Sequence, residues 1–337
     1  MREAFLRVGT KTVASLVFFL LVAGALVTST ESGLAVPDWP LSYGKVMPPM
    51  VGGILYEHGH RLVAAAVSTL VGLEFGIIFF CLEGKEKRKI KILAGAAFGA
   101  ILLQAVLGGL TVLLLLPPAV SSAHAALAEI VFALTAVVAL MCSKTWAELT
   151  KAPPDIPFKE IPSSLPLPLE ENLRISSKGE EGRAALRWTA LATGAVFVQI
   201  VIGAVMRHTG AGLAVPDFPT AFGALFPSFT EVSLPGVPIH LAHRFGAVVV
   251  VVLVLLAARA LAMLPDPFFP TLGAAWAGLV CLQAFLGASS IWSSKAVPMT
   301  VAHLAIGALC WVTGVLALVC LGACRNPSNA LSSARRA

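Results

Sequence analysis

The sequence contains few charged residues. Only 12% of its 337 residues are Asp, Glu, Lys or Arg, well below the ~25% of a typical soluble domain. Hydrophobic residues make up 57% of the chain, and the mean hydropathy is +0.86. Because a soluble fold cannot bury this much apolar surface, the composition excludes a soluble enzyme and a disordered chain.

The sequence also lacks a basic face and a cysteine cluster. The net charge is +6, but Lys and Arg lie in short segments between apolar runs, which does not indicate nucleic-acid binding. None of the six cysteines forms a CxxC pair, so we predict neither a disulfide framework nor a zinc site. All six lie in or near apolar runs, at positions 81, 142, 281, 310, 320 and 324.

Eight apolar runs are long enough to cross a membrane, which takes roughly 20 residues each. The predicted spans are residues 12–30, 56–82, 92–116, 119–142, 187–208, 239–264, 268–292 and 298–323. Lys and Arg lie before the first span, after the last one, and between spans 2 and 3 and spans 4 and 5. By the positive-inside rule, both termini are cytoplasmic in a multi-pass protein of the plasma membrane.

The two halves of the chain resemble each other. The stretch from Gly33 to Pro40 recurs from Gly212 to Pro219, with Phe218 in place of Trp39. Each half has an even number of spans, so the repeats run parallel. We therefore predict an all-α integral membrane fold of two parallel, pseudo-symmetric four-helix bundles. The first bundle covers residues 1–143, a Pro-rich cytoplasmic linker covers 144–186, and the second bundle covers 187–337.

Four histidines recur at matching places in the repeat. His60, His124, His243 and His303 lie near the starts of spans 2, 4, 6 and 8, at one depth below the outer face. Two histidines from alternate helices of a four-helix bundle can bind the iron of a flat macrocycle from both faces. The alternative is that each histidine only forms hydrogen bonds between helices. His208 has no equivalent in the repeat and receives no functional role.

Charged residues accompany these histidines. Arg61 and Arg244 follow His60 and His243 directly; they are candidates for contacts to haem propionates, or else anchors at the membrane interface. Glu57 lies three residues before His60 on the same helix face, and only this half carries it. A carboxylate in one half predicts chemistry there, with Glu57 as a general base; the alternative is a structural partner for an outer-loop group.

The outer loops, residues 31–55 and 209–238, are long and repeated. Loops of this length are usually functional, so we expect either a lid over each site or a plain interfacial loop. Asp38 and Asp217 are predicted to cap a turn or short helix in these loops. His58 lies off the face of Glu57 and His60 and is predicted to meet the loop or the lipid headgroups.

Taken together, these residues resemble the haem A synthase family of membrane enzymes. The resemblance covers nearly the whole chain: eight spans, duplicated halves, the Gly33–Pro40 stretch, Glu57 with His60-Arg61, and the other three histidines. It implies oxidation of the C8 methyl group of haem O to a formyl group, which gives haem A for terminal oxidases.

The resemblance also implies a role for each site residue. His243 and His303 are the axial ligands of a haem b cofactor, His60 and His124 hold the iron of the substrate haem O, and Glu57 is the catalytic carboxylate. One departure is that many family members carry a cysteine pair in the outer loops. Here those places hold Val36 and Ser42 in the first loop, and Val215 and Ala221 in the second.

Two alternatives remain at this stage. A non-catalytic di-haem electron-transfer protein of cytochrome b type explains four histidines but not the single Glu57. A transporter or haem-handling chaperone would need a pathway between the two faces, whereas all four histidines lie near one face. Beyond haem O and membrane lipid, the candidate partners are haem O synthase, oxidase assembly factors or a second copy of the chain; no nucleic acid is expected.

Overall fold

The computed structural model describes residues 2–84, 87–150 and 169–324. Eight helices in these ranges are long and apolar enough to cross a membrane, so the prediction of a multi-pass, all-helical membrane protein is confirmed. They are α1 (Arg2–Ser29), α2 (Gly53–Cys81), α3 (Arg88–Leu113), α4 (Pro118–Met141), α6 (Leu169–His208), α8 (Val237–Ala262), α9 (Phe268–Trp292) and α10 (Val297–Cys324). Two short helices complete this set, α5 (Lys144–Leu149) and α7 (Phe229–Val232).

Several helices extend beyond the apolar runs that predicted them. Helix α1 begins at Arg2 and α6 at Leu169, and the apolar part of α6 begins at Glu180. An apolar window marks only the part of a helix that lies in hydrocarbon, whereas the helix itself continues into the aqueous phase. Residues 151–168 of the predicted linker lie outside the described residues, and the division into domains stays a prediction.

The spanning helices form two closed rings. In the first ring, each of α1, α2, α3 and α4 packs against the next, and α4 returns to α1. Helices α6, α8, α9 and α10 repeat the same order of neighbours. The rings meet where α1 and α4 pack against α10, and where α4 also packs against α6.

Large apolar side chains point away from both rings. Phe79, Phe80, Val248 and Phe285 are 49–80% exposed, as expected for surfaces that face lipid tails. The polar backbone of each span is satisfied within its own helix, so these surfaces present only side chains to the membrane.

The two rings are packed differently in the half that lies away from the outer loops. In the second ring, the fully buried Trp276 fills the centre, and a methyl group at Gly314 would lie 2.7 Å from its ring. The equivalent of Trp276 in the first ring is Ala97, which lies near Glu74 and Thr135 around a space too small for a water molecule. The first ring therefore carries a carboxyl group near the place where the second ring carries an indole.

Candidate functional site

The four histidines lie at nearly the same distance from the first residue of their helices. His124, His243 and His303 each lie six residues after the first residue of their helix, and His60 lies seven residues after Gly53. At a rise of 1.5 Å per residue, each imidazole is placed about 10 Å along its helix. Pro118 begins α4 and Pro238 stands in the first turn of α8, positions that the fixed φ of proline favours.

Each histidine ring packs against a glycine of a neighbouring helix. The pairs are Gly24 with His60, Gly108 with His124, Gly203 with His243, and Gly287 with His303. A methyl group at any of these glycines would lie between 2.8 Å and 3.2 Å from the Cε1 atom of the ring. This contact between a glycine and an imidazole, here called a glycine notch, occurs four times, twice in each ring of helices. A Cβ atom at the glycine would require the imidazole to shift.

The second ring of helices brings its two histidines close to each other. The ring centroids of His243 and His303 are 6.4 Å apart, with an angle of 74° between the ring planes. Two imidazoles on opposite sides of one metal ion, with bonds of about 2 Å, would have centroids about 6 Å apart. This separation fits a shared iron. His60 and His124 belong to the same ring of helices, on α2 and α4.

Three glutamines accompany the histidines, and they are the only glutamines in the sequence. Gln104 donates to the backbone oxygen of His124 at 2.9 Å, and Gln199 donates to that of His243 at 2.6 Å. Gln283 contacts His303 through its side chain and its backbone oxygen. His60 is the histidine of the four without a glutamine contact in the described structure.

Glu57 lies beneath the first outer loop and is only 4% exposed. Its Oε2 accepts a hydrogen bond from the backbone N–H of Val36 at 2.8 Å, and its Oε1 pairs with Nη2 of Arg61 at 2.5 Å. The carboxylate therefore joins the loop to α2, which is the structural role considered from sequence. Its catalytic role stays a prediction.

Arg61 and Arg244 fasten the outer loops to the helices. Nη1 of Arg61 donates to the backbone oxygens of Asp38 at 2.6 Å and Leu41 at 3.0 Å. Arg244 donates in the same way to the backbone oxygens of three residues of the second loop, Val215, Asp217 and Thr220. Propionate binding by either arginine stays a prediction. Nε of Arg244 is buried and has no hydrogen-bond partner in the described ranges.

Both outer loops contain the same capped turn. The carboxylate of Asp38 accepts from the backbone N–H groups of Tyr43 at 2.6 Å and Gly44 at 2.8 Å. Asp217 accepts from those of Phe222 at 2.7 Å and Gly223 at 2.8 Å. The predicted turn-capping role of the two aspartates is confirmed.

Hydrogen bonds lower the pKa of both carboxyl groups. For Asp38 the largest contribution is the N–H of Gly44. For Asp217 the hydroxyl of Thr220 contributes most, followed by the N–H of Gly223, and together they lower its pKa to about 2. Both carboxyl groups are therefore ionised at neutral pH, as the turns require.

The four loop positions noted from sequence for their lack of cysteine are buried. Val36, Ser42 and Val215 are 0% exposed, and Ala221 is 3% exposed. The hydroxyl of Ser42 lies 2.7 Å from Nδ1 of the buried His58, which confirms that His58 meets the loop. The loops are thus held by hydrogen bonds, and the six cysteines of the chain are free thiols.

Arg207 was not predicted as a site residue from the sequence. It lies between the two rings of helices, where its Nη2 donates to the backbone oxygen of Ala25 at 3.1 Å and to the hydroxyl of Ser29 at 2.7 Å. The Ser29 hydroxyl in turn lies 3.0 Å from that of Thr300. The equivalent of Arg207 in the first half is Thr28. A charged residue at the end of a span that the repeat does not conserve is the sequence feature that could have identified Arg207.

Comparison with known proteins places this arrangement in a family. The model of the COX15-CtaA family, described as cytochrome oxidase assembly protein, matches residues 52–315. The chain belongs to this family. The match includes Glu57 and all four histidines, and confirms the family expected from sequence.

Relatives named Heme A synthase align with most of the chain. The Heme A synthase of Bacillus pumilus is 28% identical over 308 residues, which is 90% of each protein. The Heme A synthase of Symbiobacterium thermophilum is 26% identical over 88% of each protein, and that of Caulobacter sp. is 27% identical over 88% of each. The chain is thus similar to Heme A synthases over nearly its full length.

Proposed function

We propose that this protein is a haem A synthase, an oxidoreductase that converts haem O to haem A for terminal oxidases. The observation that carries the proposal is the family match across residues 52–315, the segment that holds the four histidines and Glu57. The relatives named Heme A synthase align over about nine-tenths of the chain, so a di-haem electron carrier is not favoured.

The second ring of helices is proposed to hold haem b. His243 and His303 would supply the axial imidazoles, and their 6.4 Å separation supports this assignment. Bound haem supplies one-electron redox chemistry at that position. The glycine notches at Gly203 and Gly287 support the assignment further, because they fix both imidazoles against the bundle wall.

The first ring is proposed to hold the substrate haem O between His60 and His124. Conversion of a methyl to a formyl group takes one oxygen atom from water and releases four protons and four electrons, which an external acceptor takes up. Glu57 is a buried carboxylate four residues after the start of α2 and is proposed to accept protons at Oε2. Its pairing with Arg61 holds Oε1 in place and leaves Oε2 bonded to a single backbone N–H.

The proposed location is the plasma membrane, with both termini in the cytoplasm. The excess of Lys and Arg in the loops on the side of the termini supports this orientation. It places both outer loops and all four histidines toward the opposite face. Haem O and lipid are the proposed partners within the membrane; haem O synthase, oxidase assembly factors and a second copy of the chain are further candidates.

Pigment extraction tests the proposal. The chain is expressed in a host that makes haem O but no haem A, and the extracted haems are separated by chromatography. We expect haem A from the wild type and none from Glu57→Gln, while the spectrum of the C-terminal haem is retained. Glu31→Gln, which changes an exposed outer carboxylate, is the matched control and should still give haem A. A folded, haem-loaded wild type that yields no haem A would refute the assignment.

A further inference from the structure

Each outer loop carries a pair of exposed apolar residues directly after its capped turn. Val46 and Met47 of the first loop are 76% and 61% exposed. Leu225 and Phe226 stand at the same places of the repeat in the second loop and are 75% and 67% exposed. Exposed apolar groups that recur in both halves are not isolated surface residues, and they indicate a contact surface.

The capped turns lie beside the helices, below the level at which the helices begin. His58 lies five residues after the first residue of α2, or about 8 Å along the helix, and its Nδ1 lies 2.7 Å from the hydroxyl of Ser42. Arg244 lies seven residues after the first residue of α8, or about 10 Å along it, and donates to the backbone oxygen of Thr220 at 2.9 Å. Both turns therefore lie alongside the first turns of a spanning helix.

This depth corresponds to the boundary between the lipid headgroups and the hydrocarbon. Helix α2 has 29 residues, so it is about 44 Å long, whereas the hydrocarbon core is about 30 Å thick. When the excess is shared between the two ends, about 7 Å of helix at each end lies among the headgroups. Ser42, beside His58, is therefore at the level where the acyl chains begin.

Each loop lies on the flank of its ring that faces away from the other ring. The rings meet through α1, α4, α6 and α10, so α2 with α3 and α8 with α9 form the two outer flanks. The first loop reaches α3, because a Cβ atom at Gly109 would lie 2.7 Å from the ring of Trp39. The second loop reaches α9, where Nε1 of Trp292 donates to the backbone oxygen of Phe218 at 3.0 Å. Both loops therefore cross a surface that lipid surrounds.

The second loop is continuous with the lipid-facing surface of α9. The rings of Phe218 and Trp292 have centroids 6.1 Å apart, and those of Trp292 and Phe285 are 6.4 Å apart. Phe285 is one of the exposed side chains that face lipid tails. The sequence contains no charged residue from 46 to 56 or from 218 to 230, so the segments around both pairs suit the membrane boundary.

Lipid accounts for both pairs, whereas one docked protein accounts for a single pair. The two flanks lie on different sides of the molecule, so a partner on one flank leaves the other pair exposed, while lipid surrounds both. We propose that Val46 and Met47, and likewise Leu225 and Phe226, insert into the outer leaflet and are covered by acyl chains. The arginines hold each loop from the protein side, and lipid holds it from the other side. This inference does not depend on the proposed enzymatic activity.

Photo-crosslinking in nanodiscs of phosphatidylethanolamine and phosphatidylglycerol tests the inference. The photo-reactive residue benzoylphenylalanine replaces Met47 or Phe226 in the full chain, and lipid adducts are detected by mass spectrometry after illumination. Val248, on the lipid-facing surface of α8, is the positive control, and the exposed outer residue Glu31 is the matched negative control. We expect lipid adducts at Met47 and Phe226 in a yield similar to that at Val248, and none at Glu31.

Two results would overturn the inference. One is a lack of lipid adducts at Met47 and Phe226 while Val248 forms them. The other is a cross-link to a second protein or to a second copy of the chain, in place of lipid, when the same variants are illuminated in cell membranes. If a variant at Met47 or Phe226 does not fold, the label is moved to Val46 or Leu225, and the same two results decide.

Discussion

Arg61 pairs with Glu57 one helical turn away, at 2.5 Å, while the same guanidinium holds the backbone oxygens of the first outer loop. Arg244 holds the second loop in the same way, but the equivalent of Glu57 there is His240, whose Nδ1 lies 3.0 Å from the backbone oxygen of Ala211. Each loop is thus held by an arginine that binds its backbone oxygens, and the arginine of the first loop also forms a buried ion pair.

This difference predicts unequal effects of two matched substitutions. Arg61→Met leaves the Glu57 carboxylate buried without its cation and should destabilise the protein by about 3–5 kcal/mol. Arg244→Met removes comparable loop contacts without stranding a carboxylate, so its cost should be clearly smaller. Thermal unfolding in detergent measures both; equal losses would show that the ion pair adds nothing to the loop contacts.

The capped turn of the second loop should depend on pH. The pKa of Asp217 is lowered to about 2 by Thr220 and Gly223, so its stabilising effect is complete above its ordinary pKa of 3.8. The effect is lost as the pH falls from there through 2. The rate at which pepsin cleaves this loop in the wild type, divided by its rate for Asp217→Asn at the same pH, should therefore rise as the pH falls from 4 to 2. The ratio removes the pH dependence of pepsin itself; a ratio that stays constant would contradict the prediction.

The glycine notches should be intolerant of a single methyl group. A Cβ at residue 203 would lie 2.8 Å from Cε1 of His243, so Gly203→Ala should displace the imidazole and lower the haem content. Gly194→Ala in the same helix meets no atom within 4 Å and should keep full haem content, with slightly higher stability because alanine favours the helix. Haem per protein, from pigment absorbance, compares the two.

The buried carboxyl group of Glu74 predicts a gain in stability when it is removed. Its Oε1 is buried with no hydrogen-bond partner in the described ranges. A buried polar group without a partner costs about 1–3 kcal/mol, so Glu74→Leu should raise the thermal midpoint. Trp276→Ala, at the equivalent depth of the second ring, should lower it strongly by opening a cavity. A lower midpoint for Glu74→Leu would show that the carboxyl group has a stabilising partner.

The sequence predicted those features that depend on one helix alone. Eight apolar runs predict eight spans, and the spacing of His60, His124, His243 and His303 from the span starts predicts one shared depth. The capped turns at Asp38 and Asp217 were also accessible, because a turn is a local feature of the chain.

The features that depend on facing helices could not be predicted. Gly203 and Gln199 acquire their significance only because α6 packs beside His243 of α8. Helix ends such as Arg2 and Leu169 were missed because hydropathy identifies only the part of a helix that contacts lipid. It does not identify the polar turns that extend the helix outside the membrane. The repeat contains one further source of prediction. Positions where the two halves differ, such as Leu20 and Gln199, indicate where the two bundles differ in function.

The contact of Arg207 with Ala25 and Ser29 has no mirror image, because Thr28 stands at the equivalent place in the first half. A duplicated unit that pairs with itself must offer the same surface twice, whereas here one surface carries a cation and the other carries its acceptors. The two halves therefore present different surfaces to each other. Produced as separate polypeptides, they are expected to associate as unlike fragments and not as identical ones.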